Sequence, residues 1–375
     1  MKNSRLVLII AGSLLTLFTL KSCVEPFSPP EIESASRYLV VDGFLNANSA
    51  EGSQIKLSRT QNVSDKTAPK AELRAKVTVE GNQGSNFAFT ETPGGVYTLA
   101  PRVYRDNEQY RVRIKTTDGK EYVSAYVPIV KTPAIDSLVY RVTPSQNGVE
   151  IFINTHDPRN ATRFYRWSFD ETWQYYSRLY SAYEVINNSI EPRREDISVC
   201  WSSAKASKIV LGSSVKLSKD IIKDLQITSV PANSGKLRVK YSILVKQFGL
   251  TQEEYEYWTT LAKTTEGTGG LFDPQPSQVT GNITCINDPS QLVFGYFSAS
   301  YQREQRIFIT ERLGSVASCA TTDTLTASEV LESTDLIVGE YYPGPSPTPE
   351  YIMGPLDCAD CRTQGGVNKR PPFWQ

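Results

Sequence analysis

The sequence predicts a mainly β protein. We expect two tandem β-sandwich domains of immunoglobulin-like, fibronectin-III-like or prealbumin-like type, the second with an insertion and one amphipathic helix. Three observations lead there. Short runs of alternating apolar and polar residues recur from residue 37 onward, separated by clusters of Gly, Pro, Asn and Asp. Aromatic residues make up 10% of the chain and include 20 tyrosines, a usage suited to pleated, half-buried strands. Helical spacing is sparse, and its clearest case follows residue 250.

Residues 1–22 read as a signal peptide. Lys2 and Arg5 precede an uncharged run at 6–20, too short for a spanning helix, which needs roughly 20 apolar residues. The run ends in Leu20-Lys21-Ser22-Cys23, the pattern of a bacterial lipobox. Leu20 supplies an apolar recognition residue, small Ser22 permits cleavage, and the Cys23 sulfur receives lipid. An ordinary secretory signal or a short anchor, with Cys23 a bystander, is the competing reading. Each buried acyl methylene would contribute about 0.8 kcal/mol, so several chains anchor a domain stably. Residues 23–36 then form a lipidated tether, kept extended by Pro26, Pro29 and Pro30.

Residues 37–131 should form the first sandwich. Seven runs qualify: RYLVVDGFL, SQIKLSR, AKVTVEG, NFAFTE, GVYTLAP, EQYRVRIKTTDG and KEYVSAYVP. Val77 with Val79, and Val112 with Ile114, keep apolar side chains on one face. Asp118-Gly119 marks a hairpin turn, because Gly accepts the positive φ such turns demand.

Pro133 marks a boundary, and residues 132–311 should form the second sandwich. SLVYRVTP, GVEIFINTHDP and TRFYRWSFDETWQYYS open it, with a turn at Asn147-Gly148. An insertion at about 178–235 precedes the long strand KLRVKYSILVKQFGL. A helix at 251–265 starts with the capping box Thr251/Glu254 and aligns Tyr255, Trp258, Leu261 and Ala262 on one face. LVFGYFSASYQREQRIFIT should close the domain with two strands. Residues 312–375 are a Cys-containing tail expected to pack on the body, pinned by a disulfide and by Phe373 and Trp374.

Forty basic and forty acidic side chains cancel, so no net field recruits nucleic acid or acidic ligands. Partner contacts should therefore rest on an apolar surface with aromatic anchors. The aromatic run from Phe164 to Tyr183 is the candidate. Strand alternation sends Tyr165, Trp167 and Phe169 to one side and Phe164, Arg166 and Ser168 to the other. One set belongs to the core, and the remaining face suits a protein, peptide or sugar; plain packing is the alternative. Tyr175, Tyr176 and Tyr180 are the partner-interface candidates.

Five cysteines follow Cys23: Cys200, Cys285, Cys319, Cys358 and Cys361. The number is odd, so at least one thiol stays free or pairs outside the chain. Cys358-Ala-Asp-Cys361 lacks a thioredoxin-like context. We expect at least one of its cysteines to clip the tail to Cys200, Cys285 or Cys319. A single histidine, His156, and a single C-x-x-C argue against zinc.

Little else points to catalysis. His156-Asp157 could be half of a dyad, but Asp-Pro after a strand is ordinary turn chemistry. No G-x-S-x-G elbow, P-loop or EF-hand-type loop is present. We name no catalytic residue, metal ligand or cofactor, and read the chain as non-enzymatic. An envelope hydrolase with dispersed carboxylates is the remote alternative.

LVVDGFL, TPAIDSL, FYRWSFDETW, KYSILVKQFGLTQEEYEYWTTL, GNI at Gly281, GYFSAS and CADCRTQGGVNKRPPFW occur in that order. The series resembles the domain-of-unknown-function 4249 lipoproteins of Bacteroidota over essentially the whole mature chain. The resemblance implies an outer-membrane lipoprotein facing the cell exterior, with a TonB-dependent outer-membrane receptor as partner in nutrient uptake. It transfers no catalytic residue. Glu25 resembles the acidic sorting signals of that phylum's surface lipoproteins. Ser137 and Thr324, each after Asp and before Leu, fit its O-glycosylation pattern. The competing function is a structural or assembly lipoprotein that binds only proteins.

Overall fold

The computed structural model describes residues 38–48, 50–62, 65–266, 279–315, 318–345 and 347–375. The expected signal peptide and tether, with Ser22 and Cys23, lie outside the described residues. The fold is mainly β.

The first module uses all seven expected runs, but as nine strands. These are Leu39–Asn46, Ser53–Arg59, Lys76–Gly81, Asn86–Ala88, Thr90–Thr92, Val96–Leu99, Gln109–Lys115, Glu121–Ser124 and Val127–Val130. NFAFTE and KEYVSAYVP each break in two: Asn86–Ala88 pairs with Lys76–Gly81 and Thr90–Thr92 with Val96–Leu99, while Glu121–Ser124 and Val127–Val130 pair with different parts of Gln109–Lys115. Val77, Val79, Val112 and Ile114 are all buried there. Gly119 takes a φ of 83° in the turn before Glu121.

Far-removed sequence completes this module. Ile283–Cys285 pairs antiparallel with Glu121–Ser124, and Val293–Phe294 lies parallel to Leu39 and Val40. Ala299–Ser300 inserts between Leu45–Asn46 and Ile129–Val130, parallel to both. The expectation that LVFGYFSAS belongs to the second sandwich is thus corrected, as is the 132–311 boundary. Val293, Phe297 and Ala299 fill the first core instead. Two glycines make the close approach possible. A Cβ on Gly281 would lie 1.6 Å from the Gly295 carbonyl oxygen, and one on Gly295, at φ 113°, would lie 2.0 Å from that of Val41.

The second module is a sandwich of two sheets. One orders Ile135–Val142, Gly148–His156 and Ile221–Pro231. The other orders Val199–Lys205, Phe164–Tyr176, Lys240–Leu250 and Arg303–Ile309, with Val210–Ser213 paired to the start of Phe164–Tyr176. Tyr165, Trp167 and Phe169 face the core, as alternation predicts. Buried Gln247 accepts from the Trp167 indole at 2.9 Å and donates to the Pro133 carbonyl and Thr155 hydroxyl. Every polar arm of that amide is satisfied, so its burial carries no desolvation penalty left uncompensated. The supposed insertion at 178–235 is mostly sandwich, because Val199–Lys205, Val210–Ser213 and Ile221–Pro231 are its strands. Only the hairpin Tyr183–Ile186/Ser189–Pro192 pairs outside it.

The helix Gln252–Glu266 covers the outer face of the five-stranded sheet. Phe164 meets Tyr255 at 4.9 Å, and the Arg166 guanidinium lies 4.5 Å from Phe248 and 4.3 Å from Trp258. Only half of the expected capping box forms. The Glu254 N–H donates to Thr251 Oγ1 at 3.2 Å, but the Glu254 carboxylate turns inward and accepts from the Trp258 indole. Buried beside Arg166, Glu254 has its pKa raised by burial, with the Arg166 charge opposing the rise.

The tail folds into a third module with a sheet of its own. Thr324–Leu325, Glu350–Gly354 and Leu336–Tyr341 form a small sheet. Val330, Ile337, Tyr351 and Met353 are buried beneath it, with Tyr183 and Ile190 of the hairpin packed alongside. At the end of the chain Trp374 is buried against Trp201 and Phe308, while Phe373 stays partly exposed under Arg306. Tyr38–Thr60 and Ala68–Gln375 make one compact unit that holds every hydrophobic cluster and both disulfides.

Candidate partner-binding surface

The third module is tied down twice. Cys361 bridges to Cys200 on the second sandwich, and Cys358 bridges to Cys319 within the tail. Both cysteines of the C-x-x-C are thereby used as clips. Cys285 is unpaired and buried in the first core. Backbone N–H groups of Arg178 and Leu179 donate to the Cys358 carbonyl at 2.8 and 2.9 Å, which fixes the chain leading to the hairpin. Arg193 closes the hairpin base by donating to the carbonyls of Ser181 and Tyr183.

Of the three tyrosine candidates, one is misplaced. Tyr175 is only 6% exposed; it packs against Cys200 and Cys361 and donates to the Cys361 carbonyl at 2.9 Å. A signal for this was present, because Tyr175 shares the strand parity of Tyr165, Trp167 and Phe169. Tyr176 and Tyr180 are exposed, at 51% and 61%. The hairpin and tail add exposed Val185, Tyr341, Tyr342 and Leu356, which alternation could not find because they lie in short elements or just past one. Tyr176 ends the sandwich strand Phe164–Tyr176 and Tyr180 lies in the connection to the hairpin, while Tyr341 and Tyr342 belong to the third module, so the four exposed tyrosines sit on two modules joined by the Cys200–Cys361 bridge.

Charge is also unevenly placed, which corrects the expectation of no field. Residues 313–361 hold eight carboxylates and no Lys or Arg. Residues 205–223 hold five lysines and one carboxylate, Asp220, which is buried. Val210–Ser213 pairs with Phe164–Trp167, whereas Cys200 pairs with Tyr175. The two regions thus meet towards opposite ends of one 13-residue strand, about 30 Å apart at the usual strand rise.

Other candidates resolve as follows. His156 Nδ1 lies 2.7 Å from Asp136 Oδ2 on the surface, and that hydrogen bond raises the imidazole pKa. Asp157 accepts instead from the N–H groups of Arg159, Ala161 and Thr162, which is turn chemistry. Ser137 is half-buried and accepts from Asn154 Nδ2, while Thr324 is exposed. Among the described residues no group of three or more His, Cys, Asp or Glu is placed to hold a metal ion. Among them, too, no helix is long and apolar enough to cross a membrane.

A family model described as Domain of unknown function (DUF4249) matches residues 24–306. The match stops before the acidic tail, although the resemblance was expected to reach the terminal CADCRTQGGVNKRPPFW. Among curated proteins none matches. Among solved structures, the adhesin InvE of Yersinia pseudotuberculosis is similar at 8% identity, over 84% of this chain and 72% of its own, with a TM-score of 0.18. That likeness is too slight to carry any inference about fold or binding.

Proposed function

The chain belongs to the DUF4249 family, and from that premise we propose that it is a non-enzymatic binding protein of the outer membrane. In this reading Cys23 carries the lipid anchor, the body faces the cell exterior, and the partner is a TonB-dependent outer-membrane transporter engaged in nutrient uptake. The observation that carries the reading is the set of exposed tyrosines, Tyr176 and Tyr180 beside the second sandwich and Tyr341 and Tyr342 on the third module, on two modules joined by the Cys200–Cys361 bridge. Tyrosine offers a large amphipathic ring with only two rotatable side-chain angles, so it loses little entropy on docking. The disulfides hold the backbone beneath those rings, which lowers the ordering cost of association. The surrounding carboxylates would speed encounter with a basic partner surface.

The test is a detergent pull-down from native membranes, read by mass spectrometry, with wild type and Tyr176→Ala/Tyr180→Ala. The transporter should co-purify with the wild type. The variant should lose it, at about 2 kcal/mol or more for each anchoring ring, with an unchanged melting temperature. Equal recovery of a transporter by both proteins would move the contact elsewhere. Failure to recover any transporter would remove the reading.

A further inference from the structure

We infer that the loop between Val210–Ser213 and Ile221–Pro231 forms a reversible docking face for an anionic lipid surface. Val215, Leu217 and Ile221 are each about half exposed there. Beneath them lies a cleft of about 630 Å³ lined by Leu217, Ile221, Ile222 and Leu225, with Lys219 and Lys223 at its wall. Lys216, Lys219 and Lys223 are exposed, and none makes an ion pair among the described residues.

The nearby carboxylates do not offset those charges. Asp220 points inward and accepts from the hydroxyls of Tyr165 and Ser214 and from the Asp157 N–H. Asp224 is paired with Arg141. The loop is also preformed, because Arg163 Nη2 donates to the carbonyls of Ser214 at 2.7 Å and Leu217 at 2.5 Å.

Its composition selects lipid over protein. Protein interfaces are depleted in lysine, and their strongest contacts come from Trp, Tyr and Arg. This face has lysines around aliphatic tips, with no aromatic side chain among the lining residues. Long lysine stems lie along apolar surface while their ammonium groups stay in water, as the headgroup boundary of a bilayer requires. The acidic tail meets the other end of the Phe164–Tyr176 strand, so it would be held clear of an anionic surface gripped here.

The inference is independent of the transporter reading and can be tested on the chain from Tyr38, the compact unit described above. Flotation with phosphatidylcholine vesicles, with and without phosphatidylglycerol, gives the readout. Binding should require phosphatidylglycerol and fall with salt. Lys216→Glu/Lys219→Glu/Lys223→Glu should bind at least about a hundredfold more weakly, from roughly a factor of five per lysine near an anionic surface. Leu217→Ser/Ile221→Ser should weaken binding while leaving its salt dependence in place. Absence of binding, equal binding to pure phosphatidylcholine, or an unaffected lysine variant would overturn the inference. So would salt-sensitive self-association in sedimentation velocity that the same lysine changes abolish, which would assign the face to a second copy of the chain.

Discussion

The second sandwich and the acidic third module are built from the same kinds of strand, yet they are held in different ways. Sixteen buried hydrophobic residues form one cluster in the sandwich, centred on Trp167 and Tyr241. The cluster beneath the third module's sheet holds four, Val330, Ile337, Tyr351 and Met353. Four side chains cannot offset the entropy of ordering three strands and their connections, so a small core of this kind needs staples. The two disulfides supply them. The difference teaches that the surface proposed for binding is stabilised by covalent constraint, and the sandwich by burial.

That contrast can be broken most severely from the sandwich side. Trp167→Ala should lower global stability by about 3–5 kcal/mol, since it opens a cavity and leaves the Gln247 carbonyl unpaired. Urea denaturation should show the midpoint falling; an unchanged midpoint would contradict the assignment of this cluster as the main core. The next largest effect belongs to the staples. Cys200→Ser/Cys361→Ser should destabilise the third module by about 2–4 kcal/mol. Hydrogen exchange should then rise in Leu336–Tyr341 and Glu350–Gly354 while Leu39–Asn46 stays protected. Cys319→Ser/Cys358→Ser opens a loop of separation 39 in place of 161, and should cost about 1 kcal/mol less in the chain-entropy account.

A finer cut separates neighbouring tyrosines. Tyr175→Phe removes the bond to the Cys361 carbonyl and should cost about 1 kcal/mol, whereas Tyr176→Phe should leave the melting temperature alone. Equal effects would mean that the burial difference between the two rings does not matter. Smallest of all is the surface pair His156–Asp136. Its hydrogen bond raises the folded-state pKa of His156 above the ordinary 6.5. The stability it contributes is therefore complete below pH 6.5 and is lost as pH rises through the raised value. Because the chain has one histidine, a single imidazole resonance reports the titration. Asp136→Asn should return it toward 6.5, and an unmoved resonance would show that the pair does not form.

The alternation in Lys76–Gly81, Gln109–Lys115 and Phe164–Tyr176 was legible because each strand buries one face, and period two records that directly. Tyr175 follows the same parity, a signal that its clustering with Tyr176 and Tyr180 obscures. The pairing of Ala299–Ser300 with two first-module strands left no such trace. Parallel neighbours far apart in sequence need no turn signal between them, and a two-residue strand has no period. Nor could composition reveal the third module. Its core depends on Tyr183 and Ile190 meeting Tyr351 and Met353, which are distant in sequence. The charge separation was readable from the outset, since it appears once charges are counted by segment and not over the whole chain.

The insertion of Ala299–Ser300 between Leu39–Asn46 and Val127–Val130 also dictates an order of events. A chain emerging from its N-terminus would present strand Leu39–Asn46 long before the residues that cover its free edge exist. Contacts closed across so much sequence form slowly, because loop closure must precede the reward of pairing. Until residue 300 has arrived, the first module keeps an open edge of unpaired N–H and carbonyl groups, the kind of edge that invites association with other chains. This β domain cannot finish folding as a leading unit. It waits on its own distant sequence, and whatever holds the nascent chain apart from its neighbours during that interval is as necessary to its yield as any contact in the finished core.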